Sequence, residues 1–155
     1  MDNYREYALE GASAVDLVVA LYDGMIRFLT AAADAADRGD VTGRRAAVKR
    51  AMDIIIHLQA RLRMDVGGRP AEALSEFYAS IFAQILQASL SASREKFESA
   101  IAGIQNVRDA WRQVARETNA SALEEPRGSW PRLQAHETGS YKRDAELVRA
   151  SGWTA

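Results

Sequence analysis

The chain has 155 residues, with 20 basic and 21 acidic side chains, which suits one domain with a hydrophobic core. That balance gives no bulk electrostatic case for nucleic acid or an anionic membrane. It has no cysteine, which excludes disulfides, thiolate metal sites and a cysteine nucleophile.

No apolar run approaches the ~20 residues of a membrane span. The start, MDNYREYALEG, lacks the basic-then-apolar build of a secretory signal. The expectation is a cytoplasmic protein with no membrane-inserted segment. Within residues 1–12, Tyr4 and Tyr7 sit among polar residues before Gly11. Such a segment is either a frayed terminus or, through its amphipathic tyrosines, a strap docked on an apolar groove.

The first helix is expected from Ser13 to Arg38. Ser13 with Asp16 three places on is a capping pattern, and Leu17, Val18, Leu21, Met25, Phe28 and Leu29 follow at helical spacing. Val19, Tyr22 and Ile26 lie off that stripe, so the apolar arc spans roughly 200°. Surface helices usually show a narrower stripe. This helix has more to cover than one neighbour can bury. Gly39 suits the end of the helix, and Asp40 can cap the next.

The second helix is expected over Val41–Met64. Its three consecutive isoleucines, Ile54, Ile55 and Ile56, cannot share a face. With Leu58 they again give an arc of roughly 200°, Ile54 and Ile56 on opposite edges. One edge belongs to the core and the other to a partner; helical geometry does not say which. The stretch DVGGRP then breaks the chain. A third helix, Ala71–Leu90, carries Leu74, Phe77, Tyr78, Ile81, Phe82, Ile85 and Leu86 on another wide arc. Ser91 or Ser93 caps a fourth, Arg94–Glu117, whose apolar face is narrower.

From residue 118 onward the periodicity fades, while prolines, glycines and charges accumulate. The pattern therefore predicts an all-α protein: an antiparallel four-helix bundle over residues 13–117. An N-terminal docking segment (1–12) precedes it, and a flexible C-terminal tail (118–155) follows.

No catalytic constellation emerges. His57 and His136 are the only histidines. His57 stands four residues after Asp53, but falls in the polar sector of its helix and reads as exposed rather than as a ligand. The carboxylate pairs Asp34–Asp37 and Glu124–Glu125 read as solvated. Phosphate-loop, zinc-protease and nucleophile-elbow motifs are absent from the sequence. The basic clusters at 38–45 and 61–63 lack an aromatic platform for nucleic acid. The expectation is a protein that is not an enzyme and has no cofactor and no metal. What remains is apolar surface on the first three helices. It either packs internally or in a dimer, or forms a groove for an amphipathic segment of another protein.

The residues also resemble the flagellar export chaperone family FliS. YREY near the start, then SAVDL and LYDGMIRFL, is similar to that family's N-terminal pattern. KRAMDIIIHLQARL, the Gly67–Gly68 connection, LSEFYASIFAQI and VRDAW continue the likeness in order over residues 4–117. Ala14 stands where the family usually has proline, Phe77 where leucine is usual, and the tail is long. The resemblance implies a cytoplasmic chaperone that holds the disordered C-terminal region of newly made flagellin, prevents premature polymerisation and delivers it to the flagellar export gate. Carried over by position, the partner-binding residues are Tyr4, Tyr7, Tyr22, Asp23, Gly24, Ile54, Ile55, Leu58, Leu62, Leu74, Tyr78 and Ile81.

Overall fold

A computed structural model describes the backbone of residues 2–123 and the side chains of residues 14–120. Four helices follow one another: α1 (Asp2–Asp37), α2 (Val41–Ala60), α3 (Gly68–Leu90) and α4 (Arg94–Leu123). α1 packs against both α2 and α4, α3 closes the ring against α4, and α2 and α3 touch least. Neighbours run antiparallel. The ends of α1 and the start of α4 meet where Arg94 contacts Asp34 and Asp37, and Gln59 of α2 reaches Ser75 of α3.

The connections follow from local chemistry. Gly39, at φ +68°, ends α1 with two reverse hydrogen bonds, Gly39 N–H to Ala36 O (3.1 Å) and Asp40 N–H to Ala35 O (2.9 Å). This is the left-handed helix stop that glycine accommodates without strain. Asp40 then caps α2, its carboxylate accepting from Gly43 N–H at 2.8 Å. The α3–α4 turn repeats the stop. Ala92 N–H bonds Ser89 O (3.2 Å) and Ser93 N–H bonds Ala88 O (3.1 Å), but alanine, at φ 47°, holds the glycine position. Of the two candidate caps for α4, Ser93 takes the role, accepting from Lys96 N–H at 3.3 Å.

Three boundaries differ from the sequence expectation by four residues or more, and α3 starts at Gly68 rather than Ala71. Helical backbone starts at Asp2, not Ser13. Residues 2–12 hold no proline, and Gly11 alone does not break a helix that good formers flank. Ser13 is therefore an interior residue and not a cap. α2 ends at Ala60, before the expected Met64, in a turn where Gly67 N–H bonds Arg63 O at 2.7 Å. α4 continues past Glu117 to Leu123, with Ala115 buried and Thr118 bonding back to Val114 O at 2.9 Å. The expected tail beyond Leu123 lies outside the described residues.

The core gathers Tyr22, Met25 and Leu29 from α1, Val48, Ile55 and Leu58 from α2, Tyr78, Ile81 and Ile85 from α3, and Phe97 and Ile104 from α4. The wide apolar arc of α1 now has its reason. That helix has two neighbours, α2 and α4, which bury most of its arc and leave Leu17 half exposed. Among the described residues no helix is long and apolar enough to cross a membrane.

Candidate functional site: the grooves beside α2

Ten of the twelve residues expected to meet a partner have described side chains, and the structure separates these ten into three groups. The first belongs to the core. Tyr22 is 0% exposed, and its hydroxyl shares a 2.8 Å hydrogen bond with that of Tyr78 across the bundle from α1 to α3. Burial pushes both phenols above the usual tyrosine pKa. Ile81 is likewise buried, its Cδ1 against Gly103 of α4. Tyr22 and Ile81 present nothing to a partner, because the bundle interior uses their whole side chains.

The second group fixes helix to helix. Asp23 accepts from Arg108 (3.1 Å) and Arg112 (3.4 Å) of α4. Gly24 is buried at the crossing of α1 and α2, where a Cβ would lie 3.3 Å from Ile54 Cδ1. Ile54 therefore faces α1 and packs on the core. The Tyr-Asp-Gly signature is accounted for residue by residue: a core hydrogen bond, an ion pair and a close approach. Tyr22 and Gly24, expected as partner contacts, are both buried in the free bundle.

The third group lines openings. A groove of about 490 Å³ runs between α2 and α3, walled by Ile55, Ile56, Gln59, Ala60, Tyr78, Ala79 and Phe82. It is open because these two helices are the least tightly paired in the ring. Ile56 is 56% exposed on its rim, while Ile55 and Tyr78 are largely buried and form its floor. A smaller cleft of about 220 Å³ is lined from all four helices, by Leu17 and Leu21 of α1, His57 and Leu58 of α2, Leu74 and Tyr78 of α3 and Trp111 of α4, with Leu62 of the α2–α3 connection. The side chains of Tyr4 and Tyr7 lie outside the described residues.

Sequence reasoning missed Ile56, Ala79 and Phe82 as groove residues. Ile56 carried the signal, as one edge of the isoleucine run; Ala79 gave none. His57 is exposed, as expected. Asp34 and Asp37 are not merely solvated, since Arg94 joins both. Their carboxylates, Asp34 contributing most and Asp37 next, raise the Arg94 pKa further above its already high value. Among the described residues no group of three or more histidines or carboxylates is placed to hold a metal.

An all-helical bundle with an open α2–α3 groove agrees with what the sequence is similar to. Residues 1–118 match the model of the family described as Flagellar protein FliS. The chain belongs to the FliS family. It is 32% identical over 111 residues to the flagellar secretion chaperone FliS of Salmonella typhimurium, covering 71% of this chain and 82% of that one. Identity is 30% over 106 residues with the Vibrio cholerae chaperone of the same name, 68% of this chain and 78% of the relative. For the Campylobacter jejuni chaperone it is 31% over 114 residues, 72% and 89% of the two chains. The family supports a flagellar export chaperone role. Of the residues carried over by position, Tyr22, Gly24 and Ile81 are buried in the bundle, while Ile55, Leu58, Leu62, Leu74 and Tyr78 line the openings.

Proposed function

We propose that this FliS protein binds the disordered C-terminal region of flagellin in the cytoplasm, seating an amphipathic stretch of it in the α2–α3 groove. Bound in this way, flagellin is kept from polymerising and is handed to the flagellar type III export apparatus. The observation that supports the reading is an apolar groove about 490 Å³ in size, rimmed by a half-exposed isoleucine, Ile56.

The energetics favour a preformed groove. A disordered segment that orders on binding buries ~1,000–3,000 Å². If about 60% of that is apolar, ~25 cal/mol/Å² gives a gross gain of roughly 15–45 kcal/mol. Ordering each residue costs ~1–2 kcal/mol, so thirty residues offset most or all of it. Affinity then depends on a surface that needs no rearrangement of its own. The α2–α3 groove meets that need, because its floor is part of the rigid core.

Titration calorimetry with flagellin tests the assignment. Ile56→Asp places a charge on the groove rim and should abolish binding while the helical melt stays unchanged. Wild-type affinity in that variant would remove the groove from the reading.

A further inference from the structure

The α2–α3 groove does not end at Phe82. Steps of seven residues keep side chains on one face of a helix to within about 20°. Gln59 and Ala79 wall the groove. Met52 and Arg45 continue the α2 wall at that step, and Leu86 and Glu72 continue the α3 wall in its two directions. The 2.8 Å hydrogen bond from Gln59 to Ser75 fixes the antiparallel register. By that register Arg45 stands level with Ser89 and Leu90, and Glu72 lies at the opposite end. Leu86 and Leu90, 41% and 84% exposed, extend the apolar strip toward Arg45.

The strip is apolar along its middle and oppositely charged at its ends. From Phe77 to Ser93 the chain carries no charged side chain, so Glu72 and Glu76 hold the charge of the α3 wall. On α2, Lys49 is already paired with Asp53 at 2.8 Å, which leaves Arg45. Arg45, Glu72 and Glu76 are exposed, and among the described residues none of them forms an ion pair. About 25 Å along the axis separates Arg45 from Glu72, beyond the ~8 Å screening length, so neither end neutralises the other. Arg69 lies about a turn beyond Glu72, level with the α2–α3 connection, and Arg61 lines the smaller cleft instead.

We propose that the groove selects its occupant by charge order. It takes an amphipathic helix of about five turns, with an acid to meet Arg45 and a base to meet Glu72 and Glu76. This rests on the groove being the flagellin site, and adds what that site selects. Charge complementarity decides the occupant. A segment lying along the strip takes water from both ends, and a charge that loses water needs a partner of opposite sign. A segment of one sign throughout meets its like at one end, whichever way it lies. A segment charged oppositely at its two ends meets its complement at both, in one orientation only.

Calorimetry of full-length variants with flagellin tests the selection. Arg45→Glu makes the chain more acidic, whereas Glu72→Lys combined with Glu76→Lys makes it more basic. Both should weaken binding about tenfold at low salt, with unchanged helical melts. Both should converge with wild type near ~1 M salt, where charges are screened within about 3 Å. Arg27→Glu, at an exposed position of α1 away from the groove, should leave affinity within about twofold of wild type. Net charge alone would move the two groove variants in opposite directions, and that result overturns the proposal. It is overturned equally if both bind as wild type while Ile56→Asp still abolishes binding, which leaves the groove itself in place. Normal binding by Ile56→Asp removes the groove, and this selection with it.

Discussion

The hydrogen bond between Tyr22 and Tyr78 spans the bundle, and its value lies in what its loss would expose. Removing one hydroxyl leaves the other buried and unsatisfied, which costs about 1–3 kcal/mol. Tyr78→Phe should therefore lower stability by that amount in a denaturant melt. The pair also sets an alkaline limit. Burial raises both phenol pKa values above 10 in the folded state, so the unfolded chain ionises first. The stability they contribute is complete below pH 10 and is lost as pH rises through the folded values. Ultraviolet titration should show these two tyrosines resisting ionisation at a pH where exposed tyrosines have already ionised. Ala92 gives the opposite sign. It holds the left-handed position of a helix stop at φ 47°, where an L side chain costs about 1–2 kcal/mol. Ala92→Gly relieves that strain against a smaller entropic cost, and should raise stability by up to about 1 kcal/mol.

At the scale of the element, α2 separates architecture from binding within three consecutive residues. Ile55 points into the core, Ile54 toward Gly24 of α1, and Ile56 over the α2–α3 groove. The sequence made the two edges legible, since consecutive residues diverge by about 100°. It could not assign them, because the assignment depends on which neighbour comes close. Gly24 decides it. The missing side chain lets α2 approach α1 on the Ile54 edge, while no such concession is made on the Ile56 edge. Ile54→Asp should therefore badly weaken the fold, because it drives a charge against the core. Ile56→Asp should change stability by no more than ~0.5 kcal/mol and act on flagellin alone. Thermal melts of the two variants side by side check the asymmetry; equal destabilisation would mean that α2 is buried on both edges. The same reasoning explains the misplaced residues. Tyr22 and Ile81 satisfied every sequence criterion for an apolar surface, and the surplus on α1 was real. Most of it is packed against two neighbours, while Leu17 stays half exposed on the smaller cleft.

For the whole molecule, the four helices were legible because each amphipathic run ends in recognisable turn chemistry, at Gly39–Asp40, Gly67–Gly68 and Ser91–Ser93. The helix ends at Asp2 and Leu123 were not, because weak breakers such as Gly11 yield to continuous helix formers on either side. The packing implies where the folding unit closes. Among the described residues every large side chain of the core falls between Tyr22 and Ile104, and Ala115 is the last buried one toward α4's end. The ion pairs that lock α4 to α1 use Asp23, Asp34, Asp37, Arg94, Arg108 and Arg112, all between Tyr22 and Ala115. A chain stopped after Leu123 thus retains each of these contacts, together with the α2–α3 groove. It should keep its helicity, unfold in one cooperative transition, and bind flagellin with wild-type affinity. Circular dichroism melts and calorimetry on the shortened chain check all three. Loss of the cooperative transition would mean that side chains beyond Leu123 complete the core. An intact melt with lost binding would instead place part of the flagellin site in those residues.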